Sequence, residues 1–107
     1  MFEAILREIQ NHNTVILHRH SRPDGDALGS QFGLKYILEA NFPHKTVYAV
    51  GDDPGNYRFI GGGALDEIPD SAYEGALAII LDSGAASLIS DERYRLAAKT
   101  ARIDHHI

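Results

Sequence analysis

Two short runs with unbroken apolar centres limit this chain's fold more than any other feature. They are Thr14-Val15-Ile16-Leu17-His18-Arg19 and Leu77-Ala78-Ile79-Ile80-Leu81. Neither alternates with polar residues, so neither suits a strand with one wet face. Such runs fit strands buried on both sides, in the middle of a parallel sheet. Parallel strands need crossover connections, usually helical, that cover the sheet. The sequence between the runs meets that need. Phe2, Ile5, Leu6 and Ile9 follow the i, i+3, i+4, i+7 pattern and predict a helix over 2–11, ended by Asn11-His12-Asn13. A second helix is expected over 27–40, with Leu28, Gly29, Phe32, Gly33, Tyr36, Ile37 and Ala40 on one stripe. Gly29 and Gly33 share a face there and would allow close approach to the sheet.

Thr46 to Val50 reads as a strand, leading into Gly51-Asp52-Asp53-Pro54-Gly55. A short helical turn is expected around 56–60, a break at Gly61-Gly62-Gly63 and a loop at Ile68-Pro69-Asp70. A further helix should start near Ser90, with Asp91 and Glu92 in its first turn and Lys99 at its end, an order of charges that complements the helix dipole. Thr100 to Ile103 closes the pattern as a short strand. The predicted class is α/β: a three-layer sandwich with a mainly parallel sheet, right-handed crossovers, and a site at the C-terminal strand ends.

The 107 residues allow one domain, and an apolar share of 44% makes it globular. A net charge of −5 argues against nucleic acid held on a general basic surface, though not against a local nucleotide pocket. The absence of cysteine excludes disulfides and thiolate metal sites. Charges interrupt the first eight residues where a signal peptide needs an apolar core, and no apolar run nears the roughly 20 residues that span a bilayer. A cytoplasmic protein without membrane contact is expected.

Three predicted strands end on potential metal ligands. The first runs into His20-Ser21-Arg22-Pro23-Asp24-Gly25-Asp26, the third into Asp82, and the last into Asp104-His105-His106. Parallel strands would bring these ends to one edge, where α/β proteins bind ligands. Taken singly, each has an ordinary reading. His20 could be a hydrogen-bonded turn residue, Asp24 or Asp26 a helix cap, Asp82 a turn former, and the terminal histidines solvated. Taken together they put up to four carboxylates and three imidazoles in one crevice. Crowded carboxylates repel, and cations relieve that conflict. Oxygen and nitrogen donors without sulfur suit Mn²⁺, Mg²⁺, Co²⁺ or Zn²⁺. Two such ions roughly 3.5–4 Å apart would make a phosphoryl-transfer site.

His-x-x-x-Asp-x-Asp, a lone Asp ending a later strand, and Asp-His-His, in that order, resemble the DHH phosphoesterase superfamily. The segments RPDGDALGSQFGL, RFIGG, DERYRLAAK and IDHH look most like its oligoribonuclease (nanoRNase) and 3′-phosphoadenosine 5′-phosphate (pAp) phosphatase branch. The resemblance implies Mn²⁺ as cofactor, two ions in the complete domain, with Mg²⁺ or Co²⁺ as substitutes. His20 and Asp24 would hold one ion, Asp26 and His105 the other, and Asp82 would bridge them. His106 would donate a hydrogen bond to the scissile phosphate, and Asp104 would orient the neighbouring histidines. Attack on phosphorus would be in line, with no covalent enzyme intermediate. Ser30 matches the family's Gly-Ser and is a candidate phosphate contact or a helix-surface serine. Arg19, Arg22 and Arg58 read first as solvated side chains, with phosphate contact as the alternative.

Two departures bear on activity. The family's further Asp ligand and its C-terminal substrate-binding lobe do not appear in these 107 residues. Asp82-Ser83 also stands where Asp-Thr is commoner. The chain is thus expected to be the N-terminal part of a DHH catalytic domain, weak or inactive alone. The parent's expected partners are short RNA or nucleotide phosphates, with a homodimer as an option. Alternatives are a cyclic-dinucleotide phosphodiesterase, a RecJ-type single-strand exonuclease, and a non-catalytic nucleotide- or metal-binding fragment. A pyrophosphatase fits less well.

Overall fold

The computed structural model describes residues 2–19, 25–51, 65–82 and 92–104. Helix α1 (Phe2–Asn11) buries Ile9 in the core, with Ile5 packed beside it. Its last carbonyls do not go unmet. Lys45 Nζ reaches back to Gln10 O at 3.3 Å and His12 O at 2.8 Å, placing a cation at the negative end of the helix. Strand β1 (Thr14–Arg19) follows, with its apolar centre Val15 to Leu17 buried as expected and His18 and Arg19 buried as well. Helix α2 (Gly25–Asn41) leads to β2 (Thr46–Ala49), one residue shorter than expected. After the 3-10 turn Asp70–Tyr73 comes β3 (Leu77–Asp82). Gly75, at φ +70, makes the left-handed step that ends this turn, and Ala76 N–H then donates to Tyr73 O at 3.1 Å.

The sheet order is β2-β1-β3-β4 and every pairing is parallel, with β4 at Lys99–Asp104. The predicted α/β class holds. From β1 the chain steps one way to β2, then returns past β1 to β3. Crossovers of a single hand must then put these two connections on opposite faces. They do. On one face, Val15, Leu17, Val47, Leu77, Ile79 and Leu81 pack with Ile9 of α1 and Leu38 of α2. On the other, Ile16 packs with Tyr73, Val50 and Ala76, flanked by Ile68 and Ala97. Among the described residues, that second layer is built from the short 3-10 turns Asp70–Tyr73 and Glu92–Leu96.

Three expectations are corrected. The segment near Ser90 shows no α-helix among its described residues. It has a five-residue 3-10 helix, Glu92–Leu96, and Lys99 opens β4 instead of closing a helix. Pairing with β3 draws Lys99 into the sheet, opposite Leu77, which local charge order does not reveal. The predicted stripe of α2 is rotated. Phe32 of that stripe is buried, but Tyr36 is 51% exposed and Ile37 58%, whereas Gln31 and Leu38, off the stripe, are buried. Gln31 and Lys35 have polar partners on the sheet side, so the inward face of α2 is not its most apolar face. Finally, a Cβ added at Gly33 would meet nothing within 4 Å, so this glycine does not serve close packing. The turn expected at 56–60 and the glycine break at 61–63 lie outside the described residues.

Candidate functional site

The reversal in strand order falls at β1. In sheets of this order the carboxyl ends of the first and third strands flank a crevice, because their connections leave toward opposite faces. β1 ends at Arg19, paired with Leu81, and β3 runs one residue further to Asp82. Asp82 is in register with Asp104, the last residue of β4. Two aspartates thus end adjacent parallel strands, on backbones about 4.8 Å apart. Asp26 is the second residue of α2, directly after the β1–α2 connection. It lies within the helix and so is not its N-cap, while Asp24, the other candidate cap, precedes the described helix. Ser30 lies in the second turn of α2. The fold therefore brings the backbones of Asp82 and Asp104 together, with the start of α2 following from the neighbouring strand.

His20, Arg22, Asp24, His105 and His106 lie outside the described residues, as does Arg58. Among the described residues, no three His, Cys, Asp or Glu side chains converge as a metal site. Four of the seven expected ligating and catalytic residues are not among those described. The donor set nonetheless suits a divalent cation. Carboxylates crowded at one edge repel, and a nearby cation would offset that cost.

Two described side chains behind this edge, at the end of β1, are polar and fully enclosed. His18 and Arg19 have no exposed surface. Arg19 is therefore not the solvated residue expected. It follows Val15 and Leu17 on the strand's two-residue period, which places it on the α1/α2 face, and that period was the available signal. His18 lies on the other face. Its Nε2 shares a 3.0 Å hydrogen bond with the Tyr73 hydroxyl, and Tyr94 meets its ring edge-on with centroids 5.8 Å apart. The Arg93 guanidinium lies 5.3 Å from the Tyr73 ring centroid and donates to Ile68 O at 2.7 Å and Asp70 Oδ1 at 3.1 Å. This chain of contacts ties both 3-10 turns to the strand that leads into His20. Nothing in the local sequence paired His18 with Tyr73, 55 residues away.

At the far edge of β2, Asp66 substitutes for a missing strand. Its N–H donates to Ala49 O at 2.8 Å, and its carboxylate accepts from Ala49 N–H at 2.9 Å. Lys35 Nζ lies 3.5 Å from that carboxylate. A row of unpaired edge groups is thus partly covered. An apolar groove between α1 and α2, lined by Ile5, Leu6, Ile37, Phe42 and Ile103, contains none of the predicted site residues.

The description "DHH family, N-terminal domain" matches residues 14–107. The chain belongs to the DHH family. This DHH chain is 45% identical, over 99% of its length, to the bifunctional oligoribonuclease and PAP phosphatase NrnA of Bacillus subtilis (strain 168), of which it covers 33%. It is 42% identical, over 98% of its length, to the probable bifunctional oligoribonuclease and PAP phosphatase NrnA of Streptococcus mutans, again covering 33% of that protein. The bifunctional oligoribonuclease and PAP phosphatase NrnA of Mycoplasma pneumoniae is 34% identical over 92% of the chain, which covers 32% of that protein. The DHH chain thus spans about a third of the length of the curated relatives it matches. Among its described residues, no helix is long and apolar enough to cross a membrane.

Proposed function

We propose that the protein carrying this DHH domain is a divalent-metal-dependent phosphoesterase that hydrolyses short oligoribonucleotides and pAp. The observation that carries the reading is the register of Asp82 with Asp104 at the carboxyl end of a parallel sheet, beside the strand that runs into the His20–Asp26 motif. Kinship at 42–45% identity with proteins named for both activities supports the substrate class. His20, Asp24, Asp26, Asp82 and His105 would hold two ions, Mn²⁺ in first place and Mg²⁺ or Co²⁺ as substitutes. Their imidazole and carboxylate donors suit Mn²⁺, which accepts both. When bound, such ions supply Lewis acidity toward phosphate oxygens and lower the pKa of water.

The chain's own residues do the rest. Asp104 would accept from the histidines beside it and hold their rings in one orientation. His106 would donate a hydrogen bond to a non-bridging phosphate oxygen, where charge builds during in-line attack. Arg22 and Ser30 would contact the phosphate of the bound nucleotide. No protein group need form a covalent bond to phosphorus. The reading is of a cytoplasmic enzyme, as a monomer or a homodimer, acting on small soluble substrates.

The test is an assay of the full-length protein with Mn²⁺ against pAp, RNA of two to five residues, cyclic di-AMP and pyrophosphate. Mononucleotides should appear from the RNA, inorganic phosphate should appear from pAp, and EDTA should stop both. Cleavage of cyclic di-AMP alone would move the protein to the cyclic-dinucleotide branch. No product from any substrate would refute the enzyme reading and leave a binding module.

A further inference from the structure

Gln31 is wholly buried on a helix face that hydrophobicity alone would turn outward. Its Nε2 donates to Leu17 O at 2.9 Å and to Val50 O at 2.8 Å. Both acceptors are backbone carbonyls near the carboxyl ends of β1 and β2. Leu17 O also accepts from Val50 N–H at 3.1 Å, so the side chain caps the place where these two strands stop pairing. Val50 is 1% exposed, and its carbonyl faces no described hydrogen-bond donor other than Gln31. Both amide protons are used, while Oε1 meets no described donor; flipping the amide would lose both bonds and set its oxygen against two carbonyl oxygens. Lys35, one turn further along, reaches Asp66 at 3.5 Å, and Phe32 packs on Ala49 beside Leu65. One side of α2 is thus locked to the site end of the sheet, with Gln31 its member nearest the start of the helix.

We propose that Gln31 is a positioning residue: it fixes the first turns of α2, and with them Asp26, against the carboxyl ends of β1 and β2. The inference rests on the reading of Asp26 as a metal ligand. A donor set drawn from a strand end and a helix start keeps its geometry only if the two elements cannot slide past each other. Two buried hydrogen bonds from one planar amide oppose that sliding better than apolar packing, which is non-directional.

The experiment compares Gln31→Met, which keeps volume and loses both donors, with Leu38→Val, which loosens the distal half of α2. Two readouts are taken on the full-length protein: amide hydrogen exchange and Mn²⁺ affinity. Gln31→Met should speed exchange at residues 28–32 and at Val50 more than at 35–41, and should weaken Mn²⁺ binding by about tenfold, the lower end for partners that orient ligands. Leu38→Val should leave Mn²⁺ affinity within about twofold at a similar loss of Tm, as additivity between separate sites requires. Gln31→His keeps one donor and should fall between wild type and Gln31→Met, which carries the test if the latter does not fold. In an Asp26→Asn background, Gln31→Met should weaken Mn²⁺ binding no further. Unchanged exchange at 28–32 would overturn the proposal. So would unchanged Mn²⁺ affinity in Gln31→Met when Asp26→Asn loses it. If Asp26→Asn itself binds Mn²⁺ as wild type does, the ligand reading fails, and fast exchange in Gln31→Met still supports Gln31 as the clamp.

Discussion

Replacing Asp82 with Asn should stabilise the protein without metal and shrink the stabilisation that metal supplies. Asp82 and Asp104 pair in register at the ends of β3 and β4. Parallel backbones lie about 4.8 Å apart. Two unit charges at that separation repel by about 3 kcal/mol at an effective dielectric of 20, and by about 1 kcal/mol in bulk water. An edge open to solvent lies between these limits, so Asp82→Asn should gain about 1–3 kcal/mol in EDTA. Each kcal/mol moves Tm by about 2–8 °C, depending on the size of the unfolding unit. With metal that advantage is offset. A cation at 100 times its dissociation constant adds about 2.7 kcal/mol to the wild type. Partners that merely orient ligands are worth about 10–100-fold in affinity, so losing a bridging ligand should remove most of that gain. The assay is thermal unfolding of wild type, Asp82→Asn, Asp104→Asn and the double variant, each in EDTA and in Mn²⁺. In EDTA the double variant should gain little beyond either single one, because the first substitution already removes the pair. Destabilisation by Asp82→Asn in EDTA would refute the electrostatic reasoning, and a full Mn²⁺ shift in that variant would refute the bridging role.

Tyr73→Phe removes the hydroxyl bonded to His18 Nε2 at 3.0 Å and should cost about 1–2 kcal/mol in chemical denaturation. Ile79→Ala empties a fully buried position in the core between the sheet and α1/α2 and should cost about 2–5 kcal/mol by the same measurement. Asp66→Ala frees the Ala49 N–H of a 2.9 Å partner and should cost about 1 kcal/mol, with faster amide exchange at Ala49.

The sheet was legible because its central strands are buried on both faces, and that burial is written as unbroken apolar runs. β1 and β3 came out at the expected positions for this reason. The edges were harder to read. β4, expected over Thr100–Ile103, extends by one residue at each end, and only pairing with β3 shows that the exposed Lys99 belongs to it rather than to a helix end. The stripe of α2 was misread because periodicity counts apolar atoms, while Gln31 and Lys35 face inward through hydrogen bonding and charge. Of the candidate site, sequence named the residue types and their order. The neighbourhood of Asp82 and Asp104 follows from a strand register that no local pattern contains.

The same topology explains why a polar interior sits directly behind the site edge. Where α2 leaves β1 toward one face and the path to β3 occupies the other, the strand ends at the crevice are flanked by connections. His18 is covered by Tyr73 and Tyr94 from the 3-10 turns, and Gln31 caps Leu17 and Val50 from α2. Hydrophobic contacts at these positions would tolerate small slips, since their energy varies slowly with geometry. Hydrogen bonds do not tolerate them, because a buried polar group without its partner costs about 1–3 kcal/mol. Polar contacts on both faces therefore oppose slippage of β1 and α2 against their neighbours, and a multi-residue ligand set drawn from separate strands and a helix would need that order.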